Sequence, residues 1–176
     1  MSFESLALSP ALLKALSNQN ITAATPIQEA AIPAILSKRD VLAIAKTGSG
    51  KTISYVLPLI MNLAHLPEAK NRHINALILV PTRELAEQVK AVLTTYTKDS
   101  DPALKTLAVY GGSSINPQMI AMQGVHILVA TPGRLIELVA SNAVHLSTIS
   151  TLILDEADKM LSLGFQDEVN KIFALL

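Results

Sequence analysis

Residues 41–52, Val-Leu-Ala-Ile-Ala-Lys-Thr-Gly-Ser-Gly-Lys-Thr, constrain the fold more than any other stretch of the chain. An apolar, strand-like run (41–45) passes into a glycine-bearing loop, and residues 53–64 can continue as a helix. A loop joining strand to helix in this way is the setting of a phosphate-binding P-loop. Gly48 and Gly50 can adopt backbone angles that aim successive N–H groups inward, and the helix N-terminus adds partial positive charge. A triphosphate fits there. Lys51 would reach its β and γ phosphates, and the Thr52 hydroxyl would ligate the Mg²⁺ that bridges them. Such loops commonly open on glycine, where this chain has Ala45. The bland alternative is a polar turn before a helix.

The chain of 176 residues is long enough for one domain with a real core. Half the residues are hydrophobic and 16% are charged, which fits a core-rich globular unit rather than a disordered one. Lys+Arg and Asp+Glu balance at 14 each, so any nucleic-acid binding must be local. The absence of cysteine excludes a disulfide framework and thiolate metal sites. His65, His73, His126 and His145 show no ligand-like spacing. The first residues lack a leader pattern, and no apolar run approaches membrane length. The expectation is a soluble, cytoplasmic, monomeric protein.

Ser9-Pro10 reads as a cap followed by proline in the first turn of a helix over 11–18, and Thr25-Pro26 repeats the device for a helix over 27–37 that contains Pro33. Strand-like runs then fall at 41–45, 74–80, 105–110, 125–130 and 151–155, each apolar on nearly every residue, with helical stretches between them. This alternation predicts an α/β fold with a mostly parallel sheet and helices on both faces. Surface loops are expected at 66–73 and 98–103. Ligands of such sheets bind at the carboxyl ends of the strands, so residues 46–52, 81–84, 111–114, 131–134 and 155–158 are the places to search.

Asp155 and Glu156 close the last strand. An acidic pair there suits a nucleoside triphosphatase, the first acid holding Mg²⁺ and the next orienting the attacking water. Asp155 could equally be a helix cap, with Glu156 in the first turn. Residues 81–86, Pro-Thr-Arg-Glu-Leu-Ala, and 131–134, Thr-Pro-Gly-Arg, each put a threonine after a strand and an arginine in the first helical turn, where the helix dipole disfavours a cation. A bound phosphate would explain both. Surface pairs Arg83–Glu87 and Arg134–Glu137 are the alternative. The turn Tyr110-Gly111-Gly112-Ser113-Ser114 offers open N–H groups to an anion. A polyanion along this edge would be gripped by its backbone, not read by its bases. The Gln28 amide could pair with adenine N6 and N7, a match guanine cannot make.

These residues resemble the DEAD-box ATP-dependent RNA helicases. The tetrad Asp155-Glu156-Ala157-Asp158 spells the family name. Phe3, Ile21, Thr25 and Gln28 are similar to its adenine-recognition motif, and Ala45, Lys46, Thr47, Gly48, Ser49, Gly50, Lys51 and Thr52 to its Walker A loop. Pro81, Thr82 and Arg83, then Gly111 and Gly112, then Thr131, Pro132, Gly133 and Arg134 resemble its RNA-contacting motifs. The match runs over 3–165. The resemblance implies that Phe3 and Ile21 flank the adenine of ATP and Gln28 selects it. It implies that Lys51, Asp155 and Glu156 are catalytic, that Thr52 and Asp155 hold Mg²⁺ partly through water, and that Asp158 couples to a later Ser-Ala-Thr motif. Lys46, Asn20 and Ala24 stand where the family often has glutamine, glycine and proline.

The resemblance further implies a single RecA-like domain over 1–176, with adenine-recognition helices in 1–38 and the P-loop core in 39–176. A second RecA-like domain would be its partner in a longer parent chain, and RNA its polymer, bound without regard to sequence. An isolated first domain should turn over ATP negligibly. Other P-loop enzymes, a DNA translocase among them, and a non-catalytic nucleotide-dependent module remain rivals at this level.

Overall fold

The computed structural model describes residues 2–64, 71–98 and 103–176. The expected loop residues 66–70 and 99–102, and His65, lie outside them. The chain forms two compact units, Met1–Leu66 with Val92–Leu104, and Pro67–Ala91 with Lys105–Leu176.

The first unit is helical. A 3-10 turn at Phe3–Leu6 leads to α1 (Pro10–Asn18), α2 (Pro26–Leu36) and α3 (Lys51–Leu63). Both sequence-read caps form: the Ser9 side chain accepts from Leu12 N, and Thr25 caps α2 with Pro26 in its first turn. α1 ends in a Schellman motif, with Ile21 N donating to Leu16 O at 3.0 Å and Asn20 N to Ser17 O at 2.9 Å. Asn20 takes the left-handed conformation this requires (φ 57°). Asparagine tolerates that region better than most residues, so it serves where glycine is usual. α2 packs on α3, burying Ala31 and Ile32 with Val56, Leu57, Leu59, Ile60 and Leu63.

The second unit is a four-stranded parallel sheet, β1 (Ala76–Leu79), β2 (Thr106–Val109), β3 (Ile127–Ala130) and β4 (Thr151–Leu154), in the order β2-β3-β1-β4. The connections are α4 (Arg83–Thr97, shared with the first unit), α5 (Ile115–Ala121) and α6 (Pro132–Ala140); α7 (Ala157–Ser162) and α8 (Gln166–Phe173) come after β4. Right-handed crossovers in this order put the start of α4 on one face and α5 and α6 on the other. On that second face Leu77, Leu79, Leu128 and Ala130 share a core with Leu135 and Leu138 of α6, Met160 of α7, and Val169 and Ile172 of α8. Each fully buried leucine contributes about 1.5–3 kcal/mol through loss of apolar surface from water. The inner strands β1 and β3 are buried at every residue, while the outer strands β2 and β4 are only partly so.

The α/β fold with a parallel sheet is as the alternation predicted, but the strand expected at 41–45 is absent. Residues 41–46 have no regular structure, and Leu42 and Ile44 are 89% and 86% exposed. A strand needs a neighbour for its backbone groups, and no ladder pairs this run among the described residues. The four observed strands are also shorter than their apolar runs.

Candidate functional site

In the first unit the glycine loop reaches α3 through Gly48 (φ 77°) and Gly50 (φ 88°), the latter capping the helix. Among the described residues, no protein acceptor takes the N–H groups of Thr47, Gly48 or Gly50. Ser49 Oγ is buried without a hydrogen-bond partner. Donors left open beside a buried hydroxyl and an ammonium are the chemistry a phosphate needs, so these residues fit a nucleotide's phosphate chain. Lys51 Nζ donates to Ala45 O at 2.6 Å, folding the side chain back over the loop. Two of its three N–H donors stay available.

The α2 cap grips this loop. Thr25 Oγ1 donates to Ser49 O (2.8 Å), Gln28 Nε2 donates to Gly50 O (3.1 Å), and Gln28 Oε1 accepts from Thr25 N (3.0 Å). Gln28 is 2% exposed, so this is a buried polar link from the helix to the loop. It leaves one amide hydrogen and one lone pair for another partner. Phe3 is buried at 3% exposure and serves the core, whereas Ile21 is half-buried.

In the second unit the ladder runs past the strand ends and fixes the residues just beyond them. Val80 N donates to Ala130 O, Thr131 N to Val109 O, and Asp155 N to Leu79 O. Asp155 is buried. It is not the cap of α7, as the alternative reading of the acidic pair had it. Glu156 holds that place, and in the left-handed region (φ 54°, ψ 48°) rather than in a first helical turn. A non-glycine residue there is strained, a condition that clusters at functional positions. Lys159 Nζ lies 3.3 Å from Glu156 Oε2, and Asp158 is exposed.

Pro81 is buried, and Thr82 Oγ1 accepts from Leu85 N at 3.2 Å, the expected cap. Arg83 does not pair with Glu87. Its guanidinium lies 4.9 Å from the centre of the Tyr110 ring, and the Tyr110 hydroxyl donates to Glu87 Oε1 at 2.7 Å. That hydrogen bond, then burial and the Glu87 charge, raise the Tyr110 pKa above its ordinary value. Thr131 caps α6 by backbone conformation, but its hydroxyl makes no capping bond; Pro132 and Gly133 open the helix. Arg134 does pair as the bland reading supposed, Nε to Glu137 Oε2 at 2.8 Å. It also donates from Nη2 to Ser113 O (2.9 Å), and its Nη1 is buried without a partner. Gly111 and Gly112 are exposed, Gly112 with φ 80°.

One residue that holds this edge was not read from the sequence. The Gln118 amide, on α5, bonds to the turn at 110–114 through Tyr110 and Ser113. A glutamine one turn into a short helix carries no local signal of such a role.

Residues 25–176 match the model of the DEAD/DEAH box helicase family. The chain is 41% identical to the DEAD-box ATP-dependent RNA helicase RhpA of Helicobacter pylori over 99% of its length, and 44% identical to the probable ATP-dependent RNA helicase DDX17 of Mus musculus over 92%. It spans 34% and 25% of those relatives. A crystal structure of a DEAD box protein from the hyperthermophile Methanococcus jannaschii superimposes with a TM-score of 0.89 at 39% identity, covering 99% of this chain and 47% of that one. The chain belongs to the DEAD/DEAH box helicase family.

Proposed function

We propose that this chain is the ATP-binding part of an RNA-dependent ATPase that unwinds short RNA duplexes. The family match carries the reading, because residues 25–176 take in both the glycine loop and the Asp155-Glu156-Ala157-Asp158 tetrad. The chain spans about a quarter to a third of these curated relatives, and in this reading the activity is that of a longer protein in which a second RecA-like domain takes part.

In this reading the free N–H groups of Thr47, Gly48 and Gly50 and the Lys51 ammonium hold the phosphates of ATP. Thr52 and Asp155 serve Mg²⁺, which when bound neutralises charge developing on the γ-phosphate. Glu156 orients the attacking water. Gln28 selects adenine with the hydrogen and lone pair its protein bonds leave over, and Phe3 and Ile21 flank the base. Thr82, Arg83, Gly111, Gly112, Thr131 and Arg134 grip the RNA backbone or order the loops that do. Asp158 couples the nucleotide site to the later Ser-Ala-Thr motif.

Arginines delivered from a partner domain in trans are worth ~10³ to 10⁵ in rate, or roughly 4 to 7 kcal/mol of barrier. Residues 1–176 alone should therefore hydrolyse ATP negligibly. A protein extended to the length of its relatives should show RNA-stimulated hydrolysis that Glu156→Gln abolishes. Robust RNA-stimulated turnover by residues 1–176, or hydrolysis in the longer protein that survives Glu156→Gln, would contradict the assignment.

A further inference from the structure

We infer that Gln118 is a positioning residue for polyanion binding, holding the turn at 110–114 so that its backbone N–H groups stay presented to a phosphate. The inference rests on the RNA-binding reading above and adds to it a residue outside the motifs that suggested it.

α5 rests on the core through Ile115 and Met119 and fully buries none of its residues. Gln118 is half-buried and turned onto the preceding loop. Its Oε1 accepts from Tyr110 N at 3.1 Å. Its Nε2 donates to Ser113 Oγ at 2.9 Å and lies 3.3 Å from both Tyr110 O and Ser114 O. Two amide hydrogens are thus shared among three acceptors, and the amide spans both ends of the turn.

Between those ends, a Cβ added at Gly111 or Gly112 would meet nothing within 4 Å, and Gly112 is left-handed. A diglycine segment of this kind is free to take many conformations. The side chains that restrain it are Gln118 and Arg134, which meet at Ser113: the first holds its hydroxyl and the second its carbonyl. Their bonds take the carbonyls of Tyr110, Ser113 and Ser114 and the Ser113 hydroxyl. Among the described residues, no protein acceptor takes the N–H of Gly111, Gly112 or Ser113. Arg134 brings a further donor, Nη1, buried and without a partner. A loop held in advance spares the ligand the cost of ordering it.

The test is an amide-resolved NMR titration of the chain with a single-stranded oligouridylate RNA at low salt, and separately with Mg-ADP, for the parent, Gln118→Met and Gln118→Glu. In the parent, RNA should shift the amides of Gly111, Gly112 and Ser113. Methionine keeps the volume and removes every hydrogen bond; glutamate keeps only the acceptor. Both should weaken RNA binding about three- to ten-fold. Mg-ADP affinity should not move.

A merely structural glutamine would lower the melting temperature and leave RNA affinity unchanged, which would overturn the inference. RNA shifts in the parent that spare residues 111–113 would overturn it too, even if neither variant folds, while leaving the RNA reading intact. No RNA binding by the parent would instead remove that reading, and the inference with it.

Discussion

Gln28 and Gly50 are joined by a single hydrogen bond, from the glutamine amide to the glycine carbonyl at 3.1 Å, which ties the first turn of α2 to the residue that caps α3. The bond allows no side chain at position 50. A Cβ there would collide with Gln28 Nε2 and come within 3.3 Å of Gln28 Cδ and Thr25 Oγ1.

Gly50→Ala should therefore cost more than its backbone strain alone, which is about 1–2 kcal/mol for a left-handed residue, and should abolish Mg-ADP binding. Adding Gln28→Ala relieves the collision but not the strain, so the double variant should recover part of the stability. Gly111→Ala is the control. It has ordinary φ and open space and should stay within about 0.5 kcal/mol of the parent. Thermal unfolding of the three variants checks this; equal losses at positions 50 and 111 would contradict it.

Glu156 carries its strain in the backbone. Glu156→Gly should relieve roughly 1–2 kcal/mol of left-handed strain against about 0.5–1 kcal/mol of added chain entropy. The glycine variant should then be at least as stable as the parent, and Glu156→Ala should not be more stable than either. The exposed Lys159 partner contributes little. Urea unfolding decides it, and a glycine variant less stable than the alanine one would refute the account of this residue.

Tyr110 reports the contact between β2 and α4. Its folded pKa is raised above the unfolded value, so the stability it contributes is present below about pH 10 and is lost as pH rises through the folded value. Glu87→Met removes the main cause, the hydrogen bond, and should lower that pKa toward the ordinary one. Absorbance titration at alkaline pH, with Tyr110→Phe to identify the transition among the three tyrosines, measures the shift. An unmoved transition would mean that the Glu87 bond does not hold in solution.

Local pattern made some of these features legible in the sequence and left others hidden. Strands β1 to β4 were readable because each is apolar on nearly every residue, and the caps at Ser9, Thr25 and Thr82 because each acts within three residues of itself. The run at 41–45 has the same composition but forms no strand, because a ladder depends on a neighbour that composition does not report. The left-handed backbone of Glu156 has no residue signature. Neither does the grip of Gln118, whose partners lie four to eight residues back in the chain. Arg83 and Arg134 look alike in sequence, yet one lies over a tyrosine ring and the other is buried against a carbonyl and a carboxylate.

The most direct test of the central claim is calorimetric binding of Mg-ADP and Mg-GDP to residues 1–176, with Gln28→Ala beside the parent. The account predicts that the parent binds Mg-ADP and not Mg-GDP, and that the substitution erases the difference. Equal binding of the two nucleotides by the parent would leave the phosphate loop standing and contradict the assignment of Gln28 as the residue that selects adenine.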